Sequence, residues 1–362
     1  MSDTSNDGRS DENKNNKESD QEQINMMPDN ADAQTIARET QAGISSGSLL
    51  KKRFLLGEVL GQGGMGTVYK TKDLRKVEAE DPNPYVATKV LSNAFQNHPD
   101  AFVTLQQETA KFHRLAHPNI VTVHDFDRDG DTLFMNMELL KGNPLDQLLS
   151  DQLLEDRLLK KGEGNGMPKP KALAIIRDLC AALIYAHQRH IIHADFKSGN
   201  VFICDDGTAK VLDFGIAHAV AKEMQKHELD AAQLSALTPA YATIEMMRDE
   251  PLSFTDDVYA LACVAYEIFS GQHPYQYRSA LEAQQLGLKP KPIAGLNHRE
   301  WNALCCALAL DKHQRTANVQ IFMAKMFPRH RTVVFGIVAV LGALAASGAG
   351  WLGYQQYQVQ VQ

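Results

Sequence analysis

The sequence predicts an α+β protein of two lobes, a small β-rich one followed by a larger helical one, with the cleft between them as the default site. Three observations carry this. Short β-type runs crowd the first third of the core: FLLGEVL, GTVYKTK, YVATKVL, IVTVHDF and TLFMNME. After Gly142 the pattern turns mainly helical, as in KALAIIRDLCAALIYAHQ and DDVYALACVAYEIFSG. The 362 residues, 44% hydrophobic and 22% charged, are globular in proportion and long enough for one large domain or two ordinary ones.

In chain order, residues 1–50 come first. They are Asp, Asn, Glu, Ser and Gln with few large apolar side chains, too little to offset the entropy of ordering them, and are expected to be a disordered acidic tail. The segment has neither the basic start nor the apolar run of a signal peptide. Its ten acidic and four basic residues hold most of the chain's net charge of −7. That balance argues against a nucleic-acid partner. A compact core is expected over 51–327, its first lobe over about 51–140 and its second over about 141–327. One helical stretch, about Asp100 to Leu115, interrupts the β-type runs, with Phe102, Leu105, Phe112 and Leu115 spaced for one face. Lys72–Tyr85 and Lys160–Lys171, charged or rich in Pro and Gly, read as loop insertions.

The chain then changes character. Residues 333–352, VVFGIVAVLGALAASGAGWL, carry no charge, and 20 helical residues at about 1.5 Å each span roughly 30 Å, the thickness of a bilayer's hydrocarbon core. Lys325, Arg329, His330 and Arg331 precede the span, and residues 353–362 are uncharged. The expectation is a single-pass helix in the inner or plasma membrane, with the core cytoplasmic and the C-terminus outside. The short end, 353–362, is too small for an external sensor, which leaves the span for anchoring. Gly342, Ala346 and Gly350 recur every four residues, a face through which two copies can pair as a homodimer. Five cysteines, Cys180, Cys204, Cys263, Cys305 and Cys306, show no zinc spacing or CxxC pair and fit a reducing compartment.

The chemistry is carried by four motifs in order. Gly61-Gln-Gly63-Gly64-Met-Gly66-Thr-Val68 places glycines where backbone amides can approach phosphate oxygens, and the β-type run that follows puts them at the turn of a hairpin. Lys89 lies in the strand-like run Val86–Leu91, where an ammonium is costly unless something anionic meets it; Glu108 and a nucleotide phosphate are the candidates. His193-Ala-Asp195-Phe-Lys197-Ser-Gly-Asn200 and Asp213-Phe-Gly215 each follow a β-branched run, so their polar groups project from loops. Asp195 can accept the proton of an attacking hydroxyl. Lys197 can neutralise charge on a transferred phosphoryl group. Asn200 and Asp213 are hard oxygen ligands suited to Mg²⁺.

With these motifs in this order, the core from about Phe54 to Phe327 resembles a eukaryotic-type serine/threonine protein kinase, and most of all the membrane-anchored bacterial kind. The resemblance implies the bilobal kinase fold, ATP as phosphoryl donor, and Mg²⁺, or Mn²⁺ in its place. It implies that Gly61, Gly63, Gly64 and Gly66 cover the phosphates, and that Lys89 holds them while pairing with Glu108. By the same resemblance Met137 is the gatekeeper and Glu138, Leu139 and Leu140 form the hinge, with Val68, Ala87 and Phe202 sandwiching the adenine. Asp195 is then the catalytic base, and Asn200 and Asp213 hold the metal. Thr238 shapes the substrate site, Glu245 pairs with Arg315, and Asp257 anchors the backbone of the catalytic loop. The implied activity is ATP-dependent phosphorylation of protein Ser and Thr hydroxyls in membrane-bound signalling.

Two departures stand out. Ala194 occupies the place of the usual Arg, which binds an activation-loop phosphate, so activity is expected to be independent of that phosphorylation. Thr243-Ile244-Glu245 replaces Ala-Pro-Glu, a change expected to relax a turn with little catalytic effect. Two rivals remain: a membrane-held pseudokinase scaffold, which usually lacks one of the charged groups that are all present here, and a small-molecule kinase, which lacks the Thr238–Glu245 platform.

Overall fold

The structure is a computed structural model that describes residues 44–64, 66–92, 115–158, 166–214, 238–327 and 351, with backbone alone for 153–158. The helical stretch expected at 100–114 and most of the apolar span at 333–352 lie outside the described residues. Among the described residues no helix is long and apolar enough to cross a membrane.

The described residues from Ser46 onward form one compact unit. Its first lobe is an antiparallel sheet of six strands in the order β1-β2-β3-β4-β6-β5. The strands are β1 (Leu49–Leu50), β2 (Phe54–Gly63), β3 (Gly66–Asp73), β4 (Tyr85–Leu91), β5 (Val123–Asp129) and β6 (Thr132–Met137). β4 is rich in β-branched residues and buried from Val86 to Leu91, so the hydroxyl of Thr88 needs an internal partner; its Oγ1 donates to Asn136 Oδ1 at 2.7 Å.

The first expected loop insertion is partly helical. Asp73, at the end of β3, accepts both Nε (2.8 Å) and Nη2 (2.7 Å) of Arg53. It also accepts the amide of Arg75, capping α1 (Leu74–Glu78). An Asp preceding a Leu-Arg-Lys run is an N-cap signal that the charge and the two prolines obscured. Burial of Asp73 opposes ionisation, but the Arg53 hydrogen bond is the larger influence and holds the carboxyl below its ordinary value.

The second lobe begins with β7 (Gly142–Pro144) and α2 (Leu145–Leu158). α3 (Lys169–His187) follows, and takes Lys169–Lys171 out of the second expected loop; residues 159–165 are outside the description. Pro168 and Pro170 stand where a helix start tolerates the missing amide. Ala172, Ile175, Ile176, Leu179, Cys180, Leu183 and Ala186 form its buried stripe. β8 (Val201–Cys204) and β9 (Ala209–Val211) complete a small sheet with β7.

Next come α4 (Ile244–Met247), α5 (Phe254–Ser270), α6 (Ala280–Gln285), α7 (His298–Ala307) and α8 (Val319–Met326). α5 is the central post, buried from Asp256 to Phe269 and packed against α3, α7 and α8. It starts three residues before Asp257, at a capping box in which the Ser253 amide donates to Asp256 Oδ2 at 2.7 Å. Gly271, at φ 69°, ends it.

Candidate active site

The β2–β3 hairpin closes over the cleft with Gly61 opposite Val68 and Gly63 opposite Gly66. Gly66 is obligatory: its φ is +145°, and a Cβ there would stand 2.0 Å from the Val90 carbonyl oxygen. At Gly61, Gly63 and Gly64 a Cβ would meet nothing within 4 Å, so their backbones border open space. Beneath them lies a cleft of about 420 Å³, within the range that holds a nucleotide-sized ligand.

The cleft brings together residues far apart in the chain. The four glycines, Val68, Ala87, Lys89, Met137, Glu138 and Leu140 line it from the first lobe and hinge; Asp195, Lys197, Asn200, Phe202 and Asp213 line it from the second. Val121, Pro144 and Leu212 also line it and were not singled out in the sequence. Val121 and Leu212 sit inside β-branched runs that read equally well as ordinary core, so no local signal separates them.

Lys89 meets Asp213 rather than a helix carboxylate among the described residues, with Nζ 2.6 Å from Oδ2. Glu108, the other expected partner, lies outside the described residues. Burial works against ionisation of Asp213, and the Lys89 ammonium overrides it, holding the carboxyl below its ordinary value.

The loop after α3 is built around buried hydrogen bonds. Asp195 Oδ2 lies 2.9 Å from Lys197 Nζ and accepts from Asn200 Nδ2 at 3.2 Å. Asn200 Nδ2 also donates to the Asp195 carbonyl at 2.7 Å. With Nδ2 so engaged, the free ligand atom of Asn200 is Oδ1, and Asp213 Oδ1 has no protein partner among the described residues. Two hard oxygens on one cleft wall fit a Mg²⁺ ion that keeps water and phosphate ligands, whereas no cluster of three His, Cys, Asp or Glu side chains occurs among the described residues. Lys197 Nζ reaches on to Thr238 Oγ1 at 2.8 Å, tying this loop to the segment before α4.

His193 and Asp257 hold the loop in place. The Asp195 amide donates to His193 Nδ1 (3.3 Å), so Nε2 must carry the proton that meets the Leu212 carbonyl at 2.9 Å. His193 thereby fastens the Asp195 loop to the residue preceding Asp213. Asp257, on α5, accepts the His193 amide (2.9 Å) and His187 Nε2 (2.7 Å) on Oδ2, and the Ala194 amide (3.0 Å) on Oδ1. These bonds hold Ala194 at φ 65°, a left-handed conformation that costs a residue with a Cβ about 1–2 kcal/mol.

Below the cleft, Arg315 Nη2 donates to Glu245 Oε2 at 3.0 Å, and the guanidinium also reaches the Ala309 and Leu310 carbonyls. Thr243, in the tripeptide that departs from the family pattern, caps α4 by accepting the Met246 amide and donates to Asp256 Oδ1 at 2.8 Å. A cap and a side-chain bond thus define this corner without a proline.

Comparison with known proteins agrees with this geometry. The family model described as the protein kinase domain matches residues 54–330. Serine/threonine-protein kinase PknB of Mycobacterium tuberculosis is 32% identical over 250 residues, which are 68% of this chain and 37% of that protein. PknB of Mycolicibacterium smegmatis is 34% identical over 248 residues, 67% of this chain and 36% of its own length. The chain therefore spans little more than a third of the curated relatives it matches. Among solved structures, the PknI kinase domain of Mycobacterium tuberculosis superposes with a TM-score of 0.58 at 26% identity, covering 78% of this chain and 97% of that domain.

Proposed function

The chain belongs to the protein kinase domain family, and on that premise we propose that it transfers the γ-phosphoryl group of ATP to Ser and Thr hydroxyls of proteins. The observation that carries this is the meeting, under one glycine hairpin, of the Lys89–Asp213 pair with Asp195 and Asn200. The relatives' description as serine/threonine-protein kinases supports the choice of acceptor.

In this reading the purine lies between Val68, Ala87 and Phe202 and is met by the hinge backbone. Lys89 neutralises the phosphates. Asn200 and Asp213 would hold Mg²⁺, which supplies charge neutralisation on the phosphate oxygens. Asp195 orients the acceptor hydroxyl and takes its proton as the new oxygen–phosphorus bond forms and the bond to ADP breaks; Lys197 steadies the charge on the phosphoryl oxygens. Incubation of the purified chain with ATP, Mg²⁺ and a basic protein should yield phosphoserine and phosphothreonine; a wild-type chain that never consumes ATP would refute the reading.

Membrane anchoring through 333–352, with the kinase portion cytoplasmic and the span available for pairing, is the second part of the proposal; the uncharged run and its basic flank support it. Deleting residues 329–362 should release the protein from membranes with its activity intact, and continued sedimentation with membranes would contradict a single anchor. The third part concerns control. Because Ala194 offers no charge to a phosphate, Ser235→Ala should leave the rate within about twofold. Loss of activity in Ser235→Ala, restored by Ser235→Asp, would show dependence on that phosphate.

A further inference from the structure

Away from the cleft, the last turn of α8 is ringed by cations from three helices. α8 packs against α3 and α7, and the carbonyls of a last helical turn lack donors of their own. Arg299 of α7 fills that need: its Nε donates to the Lys325 carbonyl at 2.9 Å and its Nη2 to the Ala324 carbonyl at 3.0 Å. Arg177 of α3 sets its guanidinium 4.8 Å from the centre of the Phe327 ring. Lys325 itself stands in that turn. The sequence then continues through Arg329, His330 and Arg331.

Capping and ring stacking explain how the two arginines are aimed, but leave their charge unanswered. Both are exposed. The carboxylates beside them in sequence are engaged elsewhere: Asp178 accepts the Ala209 amide at 3.0 Å, and Glu300 pairs with Lys169 at 2.6 Å. α8 carries no acidic residue, and its exposed positions are Gln320, Ile321 and Ala324, with Ile321 41% exposed. A cationic face beside an uncharged, partly apolar helix side suits the headgroup layer of an anionic bilayer.

The place of the apolar run supplies the second argument. Residues 333–352 begin six positions after Phe327, and six residues reach at most about 20 Å even when fully extended. A span over 333–352 therefore keeps the end of α8 close to the membrane surface. We infer that Arg177, Arg299, Lys325 and the exposed side of α8 seat against the phosphate groups of anionic lipids, and so fix how the kinase lobe sits on the bilayer. This rests on the reading of 333–352 as a membrane anchor. Each Lys or Arg near an anionic surface strengthens partitioning about fivefold, so three give only about 10²-fold. That is too little to hold the protein without the span; the face orients a lobe that the span has already brought to the surface.

The test follows backbone amide hydrogen exchange in the full chain, one chain per lipid nanodisc, in phosphatidylcholine alone or mixed with phosphatidylglycerol. Amides of residues 319–327 should exchange at least about threefold more slowly in the anionic discs, while those of the buried helix α5 stay the same in both. Salt at about 0.5 M, where charges are screened within about 4 Å, should remove the slowing. Arg177→Gln/Lys325→Gln should remove it as well, with exchange in neutral discs unchanged from wild type; Arg299 is spared because its loss would uncap α8. The lipid and salt comparisons on the wild type decide the matter even if that variant fails to fold. Equal exchange in the two lipids, or slowing that survives salt or the folded double variant, would overturn the inference. Slowing in neutral discs that appears only when two chains share a disc would overturn it too, and would assign the face to a second copy. Release of the chain from vesicles by alkaline carbonate would instead refute the anchor beneath it.

Discussion

Asp195→Asn should lower kcat about 10²- to 10⁴-fold, the range supplied by a positioned base, while nucleotide affinity stays close to wild type. The substitution keeps the side chain's shape, and its amide oxygen can still accept from Asn200 Nδ2, which now bonds to Oδ2 at 3.2 Å. It removes the negative charge that faces Lys197 Nζ at 2.9 Å and the basic oxygen proposed to take the hydroxyl proton. The residues that line the hinge side of the cleft, Ala87, Met137 and Phe202, are untouched. Single-turnover transfer and displacement of a fluorescent nucleotide separate the two quantities. A variant that keeps its rate within tenfold would show that proton removal does not depend on this carboxylate, and a matching loss of nucleotide affinity would show that the substitution disturbed the cleft itself.

The second large effect concerns stability. Arg315→Ala should cost about 3–5 kcal/mol, as expected when one partner of a buried ion pair is removed. Arg315 is 5% exposed, and its guanidinium serves Glu245 Oε2 and the carbonyls of Ala309 and Leu310, with Asp256 Oδ1 3.7 Å away and the Tyr259 ring beneath. Its loss leaves a buried carboxylate and two carbonyls without donors. Glu245→Gln should cost less, because an amide oxygen still accepts from Nη2 and Asp256 Oδ1, 3.7 Å from Nη1, remains as a counter-charge for the guanidinium. Denaturant unfolding of the two variants measures the difference. A loss below about 1 kcal/mol for Arg315→Ala would mean that the corner is held by the Thr243 cap and its bond to Asp256 alone.

Much of this could be read from the chain because kinase chemistry is written in short motifs. The glycine hairpin, Lys89, the Asp195–Asn200 loop and Asp213 each announce themselves by a polar or glycine residue where an apolar one would be expected. Val121 and Leu212 do not, because their contribution to the cleft is apolar surface that resembles core. The α1 helix was hidden for a different reason: five residues are too few for helical periodicity, and its stability comes from Asp73, which is itself held by Arg53 twenty positions away.

Composition, hydrophobic period and motif order were enough to indicate a β-rich lobe, a helical lobe and a cleft beneath a glycine hairpin, since these depend on local propensity and on residues a few positions apart. The partner of Lys89 and the proton position on His193 came only with folding. They depend on groups 124 and 19 positions apart, and a hydrogen bond acts over about 3 Å through space whatever the separation along the chain.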